Sequence, residues 1–179
     1  MAENYTSRVK RILRDLCGAH GATTPSGGNT DVAEPILGRF IKGRPAYQRQ
    51  FVPGPGKVFP GDSTVRWVRE RGPFQLTCDL VVLCDRWTGS MGEGMTIGLD
   101  GMNRARIVGT RMAGLCGATE VFTSPNSGIG ARIPTLRLYH LNGTPREKFV
   151  PSSLVDLGHA HGDDPILARG LAVLREGWR

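Results

Sequence analysis

The chain has 179 residues, 39% of them apolar and 22% charged, which suffices for one hydrophobic core and excludes a disordered chain. Its 25 glycines and 12 prolines exclude a helical bundle and predict a loop-rich α/β or α+β fold. The formal net charge of +7 is spread along the chain and accompanied by only 7% aromatic residues, so a dispersed basic surface is expected rather than a nucleic-acid-binding face.

Residues 6–17 carry Val9, Ile12, Leu13 and Leu16 at helical spacing and predict an amphipathic helix with a basic outer face. Nothing in "MAENYTSRVKRILRDL" resembles an apolar leader, and no later run is long enough to span a bilayer. A cytoplasmic chain without membrane association is the expectation. Cys17, Cys78, Cys84 and Cys116 form no C-x-x-C pair and have no histidine at metal-ligand spacing. Reduced thiols follow, with Cys84 as a small buried hydrophobe; no metal and no cofactor are expected, although His159 and His161 in "GHAHGDD" fit a weak metal site as well as solvated histidines.

"GAHGATTPSGGNT" (18–30) breaks all periodicity and reads as a loop. In the following "NTDVAEPILGRFIKG" a helix is predicted with Val32, Ile36, Leu37, Phe40 and Ile41 on one face, capped by Asn29, Thr30 or Asp31, with Pro35 in its first turn. Residues 44–62, rich in proline and glycine, predict a long surface excursion able to act as a lid. "STVRWVRE" alternates like a half-buried strand, and "CDLVVLCD" (78–85) is a continuous apolar run, the pattern of a strand buried on both faces. Met91, Met95, Leu99 and Met102 then recur at helical spacing before a second short strand in "RARIVGT". Strand, helix, strand predicts a βαβ unit in a parallel sheet. "TEVFTS" and "TLRLYHL" predict further strands. The last helix is capped by Asp163 or Asp164, starts at Pro165, carries Leu167, Leu171, Leu174 and Trp178, and stops at Gly177.

Ser90, in "CDRWTGSMGEGM", falls between the buried strand and the helix, where open α/β sheets place ligands and where free helix N–H groups favour developing negative charge. Ser90 and Glu93 also fit a Ser-x-x-Glu capping box, so the local pattern serves a helix cap as well as a nucleophile. Gly89, Gly92, Gly94 and Gly98 weaken the helix and imply a close backbone approach. The Gly27-Gly28 pair in "PSGGNTDVAEP" can present backbone N–H groups to an anion, and no phosphate-loop lysine follows it.

Together, "PSGGNTDVAEPILGRF" and "DRWTGSMGEGMTIGLDGMNRARIVGTRMAGL" resemble the catalytic domain of the tail-specific, or carboxy-terminal processing, serine peptidases and their tricorn-type relatives, over about residues 25 to 175. Ser90, Glu93, Arg104, Ala105, Val108 and Gly109 carry the likeness. The resemblance implies an α/β crotonase-like, Clp-protease-like ββα superhelix, incomplete at its N-terminus. It also implies Ser90 as nucleophile and an oxyanion hole from the backbone N–H groups of Met91 and of Gly27 or Gly28. Leu115 stands where the processing branch has its lysine base, and Arg111 cannot replace it because a guanidinium stays protonated. The tricorn-type relatives use a histidine base with a downstream glutamate, which implies Glu147 as the orienting carboxylate. Of His20, His140, His159 and His161, none occupies the place of that base.

The sequence thus predicts a single peptidase-like domain over 1–179 with an atypical segment at 1–24. Its expected activity is peptide-bond hydrolysis, weak in this chain alone. A non-catalytic peptide-binding domain of the same fold is the alternative, and a basic nucleic-acid-binding module is supported only by net charge. The expected partners are a peptide or protein substrate and a second copy or an absent amino-terminal segment, with no nucleic acid and no membrane.

Overall fold

A computed structural model describes residues 28–158 and 164–177. The predicted helix over 6–17, Cys17, His20, Gly27, His159, His161, Asp163 and Trp178 lie outside the described residues.

Helix α1 (Thr30–Leu37) is followed by β1 (Ala46–Phe51), β2 (Thr64–Trp67), β3 (Val81–Cys84), helix α2 (Met91–Gly101) and β4 (Arg106–Gly109). Then come β5 (Thr119–Thr123), β6 (Gly130–Pro134), β7 (Arg137–Tyr139), a 3-10 turn at Arg146–Lys148, β8 (Ser153–Leu154) and helix α3 (Pro165–Glu176). An antiparallel sheet has the order β2-β1-β7 and a parallel sheet the order β3-β4-β8, while β5 and β6 form a separate hairpin. No helix among the described residues is long and apolar enough to cross a membrane.

The predicted βαβ unit is present. Val81 pairs in parallel with Arg106 and Cys84 with Gly109, with α2 as the crossover. Alternation along β3 explains its continuous apolar run, because each face meets its own core. Val81 and Leu83 face α3 with Val108, Ile166 and Val173, whereas Cys84 joins Ile97, Leu99, Ile107, Tyr47 and Phe149 on the other side.

The surface excursion expected over 44–62 is corrected by β1. Its residues 46–51 form the central strand of the antiparallel sheet, with Tyr47, Gln48 and Phe51 buried. The interior polar residues disguise the strand, and Tyr47 packs against α2. A Cβ on Gly98 would stand 2.9 Å from Tyr47 Cδ2, so the missing side chain at Gly98 is what admits the strand. That contact is the close approach the glycines of α2 imply.

Three helices differ from expectation in detail. Asn29 caps α1 by accepting the Asp31 N–H at 2.9 Å, but Pro35 lies inside the helix, and Val32 and Ile36 are exposed while Ala33 and Leu37 face the core. Phe40 and Ile41 are buried beyond its end. In α2, Ile97 and Leu99 are the buried apolar residues, with Met95 and Met102 packed beside them. Asp164 caps α3, Pro165 opens it and Gly177 ends it at φ 70°; its buried line is Ile166, Gly170 and Val173, flanked by Leu167 and Leu174.

Candidate active site

The turn between β3 and α2 is a closed hydrogen-bonded unit. Asp85 Oδ1 accepts the N–H groups of Trp87 at 2.8 Å and Thr88 at 3.2 Å, and the Thr88 hydroxyl oxygen accepts the Asp85 N–H at 3.0 Å. The Thr88 carbonyl accepts the Ala113 N–H at 3.0 Å, which fastens the turn to the loop after β4. That loop is held near β3 in part by Gly109, whose φ is 147° and where a Cβ would stand 1.8 Å from the Cys84 carbonyl oxygen.

This turn delivers Ser90 at φ 52°, ψ −112°. Positive φ is disfavoured for a residue with a Cβ and costs about 1–3 kcal/mol, a strain found most often at functional sites. An ordinary N-cap has extended backbone and a side-chain bond to the first turn. Ser90 departs from that pattern in its backbone, which is not extended, although it forms a capping box with Glu93. The well-aligned arm of the capping box is the reverse one, in which Ser90 N–H donates to Glu93 Oε2 at 2.8 Å. Strand–turn–helix geometry with a strained serine at the corner matches the nucleophile-elbow arrangement.

Glu93 is fully buried. Its Oε1 accepts the N–H groups of Gly114 at 2.9 Å and Leu115 at 3.1 Å. Burial pushes its carboxyl above the usual range, opposed by the Arg146 guanidinium and by the three backbone donors. Arg146 is also buried; its Nε donates to the Leu115 carbonyl at 2.8 Å and its Nη1 to the Ser90 carbonyl at 3.1 Å. Its Nη2 lies 3.6 Å from Glu93 Oε2, an ion pair without a formed hydrogen bond. Sequence reasoning missed Arg146 altogether, because its partners are distant in the chain and an Arg-Glu-Lys run reads as a solvated turn.

Gly28 reaches the same corner. A Cβ on Gly28 would lie 3.7 Å from Met91 Cβ, so the start of α1 abuts the start of α2. The Met91 N–H has no hydrogen bond among the described residues. Helix α1 is anchored from behind: Glu34 Oε1 accepts the Tyr47 hydroxyl at 3.0 Å and Arg66 Nη2 at 2.7 Å. Burial and the neighbouring Glu34 carboxylate push the Tyr47 hydroxyl up to about 12, so it remains a donor.

Leu115 follows the same loop, its Cδ1 3.6 Å from where a Cβ on Gly89 would stand. Glu147, one residue after Arg146, is bound through Oε1 to Arg137 Nη2 at 2.7 Å, while its Oε2 is buried and has no hydrogen-bond partner among the described residues. His140 is remote from this corner. Its Nδ1 accepts the Asn142 N–H at 3.1 Å and its Nε2 is 3.2 Å from Asp100 Oδ2, at the C-terminal end of α2. The structure therefore brings together Ser90, Met91, Gly28, Glu93, Leu115 and Arg146. It does not bring His140 to them.

A sequence model of peptidase family S41 matches residues 24–151. A comparison with curated protein sequences finds no match. Among solved structures, a candidate peptidase from Parabacteroides merdae is similar with a TM-score of 0.68 and 18% identity over 83% of this chain and 48% of that chain. The photosystem II D1 C-terminal processing protease gives a TM-score of 0.59 and 19% identity over 96% of this chain and 43% of that one. A candidate S41 protease from Bacteroides fragilis gives 0.60 and 15% identity over 98% and 50%. These likenesses show the fold, and the chain spans half the length, or less, of these three structures.

Proposed function

Because the chain belongs to peptidase family S41, we propose that it carries the nucleophile and oxyanion-binding part of a serine peptidase active site. Ser90 Oγ attacks a peptide carbonyl, and the N–H groups of Met91 and of Gly27 or Gly28 receive the developing oxyanion. The observation that carries this reading is the Ser90 backbone at φ 52°, ψ −112°, which a helix cap does not need. The approach of Gly28 to Met91, the residue after Ser90, supports it. The substrate class is a peptide or protein.

The base of this reading is a histidine oriented by the unpartnered Oε2 of Glu147. His20, His159 and His161 lie outside the described residues, and a group from outside this chain is the other source. A second reading, peptide binding without hydrolysis, is favoured by Leu115, which places an aliphatic side chain rather than an amine near Ser90. A serine-directed fluorophosphonate separates the two. Labelling confined to Ser90 and lost in Ser90→Ala supports the peptidase reading; a folded protein that binds peptide without labelling supports the second. Ser90→Gly is the informative companion, since glycine adopts this backbone without strain and should be more stable than Ser90→Ala by about 1 kcal/mol while equally unreactive.

A further inference from the structure

We propose that Arg146 is a positioning residue for Ser90, acting with Glu93 as a two-sided backbone clamp; the inference rests on the peptidase reading for its catalytic consequence. Glu93 takes the Ser90 N–H at 2.8 Å and Arg146 gives to the Ser90 carbonyl at 3.1 Å. The same two side chains hold the Leu115 N–H at 3.1 Å and the Leu115 carbonyl at 2.8 Å. Both backbone polar groups of Ser90, and both of Leu115, are thus fixed by one buried pair.

A buried carboxylate and guanidinium are expensive to desolvate and are often replaceable by apolar residues without loss of stability. This pair has side-chain exposures of 0% and 2%, and its direct ion contact, at 3.6 Å, is poor. Its hydrogen bonds go instead to backbone groups of Ser90, Gly114 and Leu115. Charge attraction between the two is therefore not what the geometry optimises. What it achieves is to hold a strained serine and the neighbouring loop in one fixed relation, because a planar fork can reach two carbonyls at once where an ammonium serves as a point donor. The Arg146 hydrogen bonds go to the backbone carbonyls of Leu115 and Ser90 and not to the Ser90 hydroxyl, so its influence on reaction runs through the Ser90 backbone.

Four proteins test this: wild type, Arg146→Lys, Arg146→Met, and the double variant Glu93→Gln/Arg146→Met. Thermal unfolding and the rate of fluorophosphonate labelling at Ser90 are measured on each. Arg146→Met should unfold at a lower temperature than the double variant, because it leaves Glu93 buried and unpaired. The double variant should regain stability yet label at least tenfold more slowly than wild type, and Arg146→Lys should fold but also label at least tenfold more slowly. A double variant or lysine variant that labels at the wild-type rate overturns the clamp. If wild type itself does not label, the peptidase reading fails by itself, and the clamp is judged by amide hydrogen exchange. The Ser90 and Leu115 amides should then lose protection together in the folded double variant, and unchanged protection overturns the proposal.

Discussion

Leu115 packs beside Gly89, one residue before Ser90, with its Cδ1 3.6 Å from the position a Gly89 Cβ would take. The loop carrying it is fixed by Glu93 and Arg146, so a side chain at position 115 has a defined starting point relative to Ser90. Leu115 is 46% exposed, which leaves room for a longer polar residue. Leu115→Lys should therefore fold normally and place an amine in reach of Ser90. A positioned base contributes about 10²–10⁴-fold, so a gain of at least tenfold in the labelling rate at Ser90 is expected, rising with pH as the ammonium deprotonates. An unchanged rate in a folded Leu115→Lys variant would show that position 115 does not face the Ser90 hydroxyl.

Two glycines fix the layers between which Ser90 sits, and they should respond differently to alanine. At Gly98 the added Cβ meets the edge of the Tyr47 ring at 2.9 Å, and a ring can tilt. Gly98→Ala should cost about 1–3 kcal/mol, read by urea unfolding, as overpacking between α2 and β1. At Gly109 the Cβ would lie 1.8 Å from the Cys84 carbonyl oxygen, with φ at 147°. No side chain can yield there. Gly109→Ala should lose more than about 4 kcal/mol or fail to fold, the outcome reserved for direct backbone conflict. Equal effects at the two sites would contradict the packing described for both.

The parts of this fold that were legible in sequence are those where one physical signal dominates. The run Val81–Cys84 with the following helix and Arg106–Gly109 announced a βαβ unit because both faces of β3 are apolar. Asp164, Pro165 and Gly177 marked both ends of α3 through side-chain capping and backbone freedom alone. By contrast β1 was hidden, since Gln48, Arg49 and Gln50 occupy its middle and only pairing with β2 and β7 makes it a strand. In the site, Ser90 and Gly28 were visible through local pattern. Glu93 was legible as half of the capping box it forms with Ser90, but its hold on Gly114 and Leu115 and the whole role of Arg146 were not, because burial and long-range backbone contacts leave no periodic trace.

The buried Glu93 carboxyl gives a pH dependence of known sign. Its folded-state pKa is raised above the ordinary carboxylate value, chiefly by burial. The folded protein therefore binds more protons than the unfolded chain between the ordinary value of about 4.3 and the raised one. Its contribution to stability is greatest below the ordinary value and declines as pH rises through the raised folded value. Glu93→Gln removes this ionisation and leaves the other groups as the common background. The unfolding free energy of wild type minus that of Glu93→Gln should accordingly fall as pH rises from about 4 across this window, measured by denaturant titrations at a series of pH values. A difference that grows with pH would mean that the backbone donors and Arg146 outweigh burial.

His140 is the one histidine among the described residues, and its place rules it out as the base for Ser90. It contacts Asp100 at the far end of α2, ten residues beyond Ser90 and hence roughly 15 Å along the helix axis at 1.5 Å per residue. Its Nδ1 is already engaged by the Asn142 N–H, and its ring stacks with Phe149 at a centroid distance of 5.9 Å. These contacts make it a packing residue of the loop after β7. His140→Ala should cost about 1–3 kcal/mol through the lost hydrogen bond and the space left beside Phe149. Labelling of Ser90 in the folded fraction should stay within twofold of wild type, with an unchanged pH profile. A selective loss of labelling, with stability preserved, would make His140 the base and would require α2 to sit differently against β7 from the arrangement described.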